Sequence, residues 1–184
     1  TMNKLKVRQQ SNSVIRRAVG WGDENLLKPF INEKDLKKAL TIYRRHHKKA
    51  LPKGSRLFPG AKKLLRQLKE EGYKLAVVSN RSTRFSWILI RHLGLKKYLD
   101  YVLCADRLKQ GKPHPEIMNK ILRRFSLKPE NALYLGDMVV DAQVGRRSKI
   151  KTVIVTTGSN TRPEIEQEGP FFIITKIAQL LKLL

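Results

Sequence analysis

A chain of 184 residues with 41% hydrophobic and 29% charged side chains can bury its own core, and its single cysteine, Cys104, excludes an intrachain disulfide framework. No apolar run approaches the roughly 20 residues needed to cross a bilayer, and the polar, basic N-terminus has no signal-peptide core, so a soluble, cytoplasmic protein that does not engage membranes is expected. Lys and Arg number 39 against 15 Asp and Glu, a net charge of +24, with 15 basic and 4 acidic residues in the first 60. That charge suits phosphorylated ligands or nucleic acid, but is read first as a set of solvated helix faces; with no RNA-binding motif or aromatic-interleaved basic patch, a nucleic-acid partner is possible but not favoured.

Residues 1–56 read as helical. Leu36, Ala39, Leu40 and Tyr43 recur at helical spacing, Arg and Lys fill the opposite face, and Gly20, Gly22 and Pro29 divide the region into short helices. Leu51–Gly60, with two prolines and two glycines, is predicted to be a linker. Strands and helices then alternate. Ala61, Leu64, Leu65 and Leu68 form a helical face that Gly72 ends, and Leu75–Val78 is a short continuous apolar run, as expected for a parallel strand buried on both faces. Phe85–Leu93 reads as a helix, Tyr101–Cys104 as a strand, and Ile117, Ile121, Leu122 and Phe125 as another helix. Ala132–Leu135, Thr152–Val155 and Phe171–Ile174 complete the predicted strands, and Ile177, Leu180, Leu181 and Leu184 mark a closing amphipathic helix. Repeated β-α units imply an α/β fold with a doubly wound parallel sheet, whose ligands bind beyond the C-terminal strand ends.

Three polar motifs fall at those ends. Ser79-Asn80 follows the strand Leu75–Val78; a hydroxyl and backbone amides there can hold a phosphate oxygen, and the same dipeptide serves equally as turn or capping chemistry. Gly111-Lys112-Pro113-His114-Pro115-Glu116 stiffens the approach to a helix, so Lys112 is either a fixed ammonium that neutralises a phosphoryl group or one surface lysine among many. Gly136-Asp137-Met138-Val139-Val140-Asp141 follows the strand Ala132–Leu135. Two carboxylates four residues apart, aimed at one point, repel unless a cation lies between them, and hard oxygen ligands suit Mg²⁺; the alternative is an Asp137 helix cap with Asp141 solvated. His46, His47, His114 and Cys104 need no catalytic role, and Trp21 and Trp87 read as packing residues.

In order and spacing, the runs GAKKLLRQLKEEGYKLAVVSN, GKPHPE and LYLGDMVVDAQVGRRSKIKTVIVTTG resemble the haloacid-dehalogenase superfamily, in particular its phosphoglycolate phosphatase-like hydrolases. The resemblance implies a three-layer Rossmann-like core over residues 57–184 beneath a small helical cap at residues 1–56 that closes over and selects a small phosphorylated substrate. It implies that Ser79 and Asn80 bind the phosphoryl group, that Lys112 both binds it and neutralises charge, and that Asp137 and Asp141 hold Mg²⁺ directly or through water. It further implies a nucleophile motif, Asp-x-Asp-Gly-Thr, on a central strand between those at Leu75–Val78 and Ala132–Leu135. No such motif occurs in the 184 residues; the acids before residue 60 are Asp23, Glu24, Glu33 and Asp35, and none follows an apolar strand. A phosphatase inactive as this chain stands is therefore expected. A phosphomutase of the same superfamily, or a member without catalysis that binds an anionic partner such as nucleic acid, are the other readings.

Overall fold

The computed structural model describes all 184 residues. Four α-helices come first, α1 (Met2–Leu5), α2 (Asn12–Ala18), α3 (Asp23–Leu27) and α4 (Glu33–Gly54), followed by α5 (Ala61–Glu70). Leu27, Ile31 and Ala39 make a small core within the first four, with Leu36, Leu40 and Tyr43 packed around it. The predicted linker begins four residues late, because α4 continues through Pro52 to Gly54. Pro52 donates no backbone hydrogen bond, but Leu51 is buried beside it and anchors the last turn.

The alternation that follows is β1 (Ala76–Ser79), α6 (Thr83–His92), β2 (Tyr101–Cys104), α7 (Glu116–Phe125), β3 (Leu133–Gly136), α8 (Val139–Arg147), β4 (Lys151–Val155), α9 (Arg162–Glu166) and β5 (Phe172–Ile174). The predicted closing α-helix is instead a 3-10 segment, Ile177–Lys182, whose buried anchor is Leu180. Capping sets several boundaries. Tyr73 N–H bonds Leu68 O at 2.9 Å across Gly72, which takes the left-handed φ of +85° that closes α5. Asp100 accepts from Leu75 N–H and from Lys69 Nζ, both at 2.8 Å, and so ties the start of β1 to the start of β2 and the end of α5.

All strand pairings are parallel, and successive residues of β4 face opposite layers. Val153 and Val155 pack on Leu64 and Leu68 of α5, whereas Ile154 packs on Ala142 of α8 and Ile165 of α9. A third cluster, Leu103, Ile117, Met118, Leu122, Val144 and Ile150, fills the layer between β2, α7 and α8. This is the three-layer arrangement that the family resemblance implies.

The sheet itself departs from the continuous doubly wound expectation. It is in two pieces: β1 pairs with β2, and β3 pairs with β4, which pairs with β5. No strand lies between β1 and β3. A cavity of about 590 Å³ borders both, lined by Leu75, Ala76 and Val78 on one side and Leu133 and Tyr134 on the other, with Leu68 and Met118 among its walls. Of its 23 lining residues 18 are hydrophobic, so the space resembles a core lacking an element rather than a polar ligand site.

Candidate active site

The polar motifs meet where the two pieces of sheet end. Ser79 is the last residue of β1, Asp137 immediately follows β3, and Lys112 lies on the loop before α7. With Asn80 and Asp141 they line one pocket of about 380 Å³, whose opposite wall is Gly20, Asp23, Tyr43 and His47 from the helical segment.

Asp141 sits in the first turn of α8 and organises the site. Its Oδ2 accepts from the backbone N–H of Asp137 and of Met138, both at 3.1 Å, so it closes the turn that carries Asp137. Its Oδ1 accepts from Lys112 Nζ at 2.6 Å and from Tyr134 Oη at 2.6 Å, while Lys112 also donates to Tyr134 Oη at 3.0 Å. Both charged side chains of this pair are deeply buried, 9% exposed for Lys112 and 5% for Asp141. Burial alone would raise the Asp141 carboxyl, but Lys112, Tyr134 and the Asp137 amide outweigh it and hold Asp141 below the ordinary aspartate range.

Asp137 is the converse. Its carboxylate accepts no hydrogen bond from another residue, and burial, followed by the nearby charge of Asp141, pushes its carboxyl up, with Lys112 opposing. A half-buried carboxylate that lies beside a second carboxylate and accepts no hydrogen bond from another residue's donor is suited to a cation. No group of three or more His, Cys, Asp or Glu side chains converges anywhere in the chain. Mg²⁺ fits such a sparse set, since it is commonly held by one or two carboxylates, waters and substrate phosphate oxygens. Backbone crowding keeps this corner tight: a Cβ on Gly158 would collide with the Asp137 carbonyl oxygen, and one on Gly136 with the Asp141 side chain.

Ser79 Oγ accepts from Arg81 N–H at 3.0 Å, which leaves its own hydrogen free to point into the pocket. Asn80 is committed differently. Its Nδ2 donates to Gly20 O at 3.0 Å and Lys112 O at 2.9 Å, and its Oδ1 accepts from Lys112 N–H at 2.7 Å. Both side-chain amide hydrogens are used, so the Asn80 side chain joins the β1 loop, the lysine loop and the Gly20 turn and has no donor left for a substrate.

Three residues that line the pocket, and Tyr134 behind Lys112 and Asp141, are not legible as functional in the sequence. Tyr134 has one signal, a hydroxyl inside an otherwise aliphatic buried strand. Arg81, directly after Ser79-Asn80, is one arginine among many. Tyr43 and His47 lie one helical turn apart on α4, where Tyr43 reads as core; their rings stack at 4.9 Å, and His47 meets Phe85 edge-on at 5.0 Å.

Comparison with known proteins agrees with this geometry. Residues 1–155 match the family model for haloacid dehalogenase-like hydrolases. The whole chain aligns with 85% of a phosphoglycolate phosphatase of Nitrosococcus oceani at 30% identity over 191 residues. A glyceraldehyde 3-phosphate phosphatase of Pyrococcus furiosus is 34% identical over 128 residues, which cover 68% of this chain and 53% of the relative. The crystal structure of a predicted phosphoglycolate phosphatase from Haemophilus somnus superposes with a TM-score of 0.91 at 25% identity, over 99% of this chain and 86% of that one. A parallel α/β core with Ser79, Lys112, Asp137 and Asp141 gathered at its strand ends, together with these matches, places the chain in the haloacid dehalogenase-like hydrolase family.

Proposed function

We propose that the site is that of a Mg²⁺-dependent phosphatase acting on a small phosphorylated metabolite of the phosphoglycolate kind, with residues 1–56 as the cap over a core at 57–184. The observation that carries this is the pairing of a fixed cation, Lys112, with an open, half-buried carboxylate, Asp137, in one pocket at the C-terminal strand ends.

Each residue then has a task. The Ser79 hydroxyl donates to a phosphoryl oxygen. Lys112, oriented by Asp141 and Tyr134, opposes the charge that gathers as the phosphoryl group transfers, and needs little rearrangement to do so. Asp137 supplies the direct carboxylate for Mg²⁺, with Asp141 behind it as the acid that fixes both Lys112 and the Asp137 turn. Bound there, Mg²⁺ would neutralise phosphoryl charge and help orient the group. Asn80 positions the loops. The helical wall at Tyr43 and His47 excludes water from the other side of the pocket.

The covalent step needs a carboxylate nucleophile that attacks phosphorus, expels the alcohol and is regenerated when water cleaves the acyl phosphate. None of the acids in the pocket is free for this: Asp137 is assigned to the metal, Asp141 to Lys112, and Asp23 is bridged to Arg44 at 3.1 Å. The slot between β1 and β3 ends beside Ser79 and Asp137, so a strand seated there would deliver its C-terminal residue into the pocket. Extending the chain with an apolar strand ending in Asp-x-Asp is expected to give Mg²⁺-dependent release of phosphate from p-nitrophenyl phosphate and phosphoglycolate, while the 184 residues alone remain inactive or nearly so. An extended protein that stays inert across a broad panel of phosphomonoesters ends the enzyme reading. A single cysteine, Cys104, which can form no intrachain disulfide, is the basis for proposing the reducing setting of the cytoplasm; no helix is long and apolar enough to cross a membrane.

A further inference from the structure

The charges in the pocket nearly cancel by pairs. Lys112 is matched by Asp141 at 2.6 Å and Arg44 by Asp23 at 3.1 Å. Two charges are left over, of opposite sign. Asp137 is one. The other is Arg81, which forms no salt bridge and whose Nη1 is wholly buried without a hydrogen-bond partner. An unpaired buried donor is costly, and more so when it carries charge, so a guanidinium is kept in that state where something else completes it.

The place of Arg81 separates it from the phosphoryl end. Ser79 Oγ accepts its backbone N–H, yet the charge of its side chain is felt at Tyr43 and His47 on the helical wall. Burial, followed by the nearby charge of Asp23, pushes the Tyr43 hydroxyl up to about 12, so it stays protonated. Burial and then Arg81 lower His47, so the imidazole next to Arg81 is predominantly neutral at pH 7 and adds no competing cation. The acid that bears on both, Asp23, already has Arg44 as its partner. What Arg81 faces is thus a protonated phenol and an uncharged imidazole, both polar and neither able to neutralise it.

We infer that Arg81 is a specificity-determining residue that binds a second anionic group, a carboxylate, on the leaving-group side of the substrate, so that a short carboxylated phosphomonoester spans the pocket from Ser79 and Lys112 to Arg81. The planar guanidinium presents paired donors that match a carboxylate. The inference rests on the phosphatase reading for the other end of the ligand and adds the chemistry that selects it.

Calorimetric titration of the 184-residue chain in Mg²⁺ separates the two claims without turnover. The probes are phosphoglycolate and ethyl phosphate, which share the phosphoryl end and differ in the carboxylate. Arg81→Gln is expected to weaken phosphoglycolate about tenfold or more and ethyl phosphate by less than about twofold, with Arg81→Lys between. Unchanged thermal unfolding of the free variants checks that the fold is intact; if Arg81→Gln unfolds, Arg81→Lys carries the comparison alone. Equal weakening of both ligands places Arg81 at the phosphoryl group and overturns the inference, as does no weakening of either. If the unsubstituted chain binds neither probe, this inference is overturned, whereas the phosphatase reading is decided separately by turnover in the strand-extended protein.

Discussion

Asp137 and Asp141 are the same residue type four positions apart, and their surroundings give them opposite properties. Asp141 receives four donors and lies below the ordinary carboxylate range, whereas Asp137 receives none from neighbouring residues and lies above it. A raised carboxyl in the folded state penalises folding at every pH above that raised value, and the penalty vanishes as pH falls below the unfolded value of about 4. Asp137→Asn should therefore stabilise the metal-free protein by about 1 kcal/mol at pH 7 and by nothing near pH 3, while abolishing the rise in melting temperature that Mg²⁺ produces. Differential scanning calorimetry in EDTA and in Mg²⁺ tests both halves; if the Asp137→Asn variant still gains stability from Mg²⁺, Asp137 is not the ligand. For Asp141 the sign reverses: its contribution is present above about pH 4 and is lost as pH falls through its depressed folded value. Asp141→Asn leaves Lys112 buried without its counter-charge and should cost about 3–5 kcal/mol at pH 7, whereas Lys112→Met in the same molecule should recover most of that loss. Urea unfolding of the single and double variants decides it, and a single variant within about 1 kcal/mol of the parent would mean water reaches Lys112.

At the scale of elements, apolar patterning located every strand, and structure shifted only their limits. Leu75–Val78 and Ala132–Leu135 each moved one residue towards the C-terminus, to Ala76–Ser79 and Leu133–Gly136, since pairing with β2 and β4 extends to Ser79 and Gly136, the residues just after each apolar run. Hydropathy marks where a strand is buried, and hydrogen bonding marks where it is paired. The same distinction explains the end of the chain, where apolar residues at helical spacing formed a 3-10 segment around Leu180. Pockets were harder to read than elements, because Tyr134, Arg81 and Asn80 owe their roles to neighbours distant in sequence: Asn80 bonds residues 60 positions before it and 32 after it. β4 is the strand most fully enclosed, with Ile154 and Val153 at 0% exposure on opposite faces. Ile154→Ala should cost about 2–5 kcal/mol in chemical unfolding, against about 0.5–1.5 for Ile154→Val, because its site between Ala142 and Ile165 has little room to collapse. A loss under 1 kcal/mol for the alanine variant would show that α8 and α9 close over the gap.

For the whole molecule, the informative feature is the division of the sheet. Its position was legible in the sequence only through family resemblance, because composition and periodicity describe the elements that are present and carry no mark of one that is not. In a parallel ladder, alternate residues of a strand turn both N–H and C=O to the same side, so β1 and β3 each have a row of groups without a strand partner, facing a cavity whose apolar walls are chiefly Leu, with Ile, Phe, Tyr and Ala. Each buried backbone group left unpaired costs about 1–3 kcal/mol, so a few of them approach the ~5–15 kcal/mol that stabilise a typical domain. The 184 residues alone should consequently bind a hydrophobic dye such as anilinonaphthalene sulfonate, and amides of β1 and β3 directed at the slot should exchange with solvent faster than those of β4, which is paired on both sides. An apolar strand supplied in the slot should reverse both signs together, quenching dye binding, protecting those amides and raising the urea midpoint, whether or not its last residues are acidic. Replacing the strand's terminal acids by Asn should keep the gain in stability and lose phosphate release, which separates the structural part of the strand from its chemistry. Slow exchange at β1 and β3 in the 184-residue chain, with no dye bound, would mean that the two half-sheets close on each other and that no strand is needed between them.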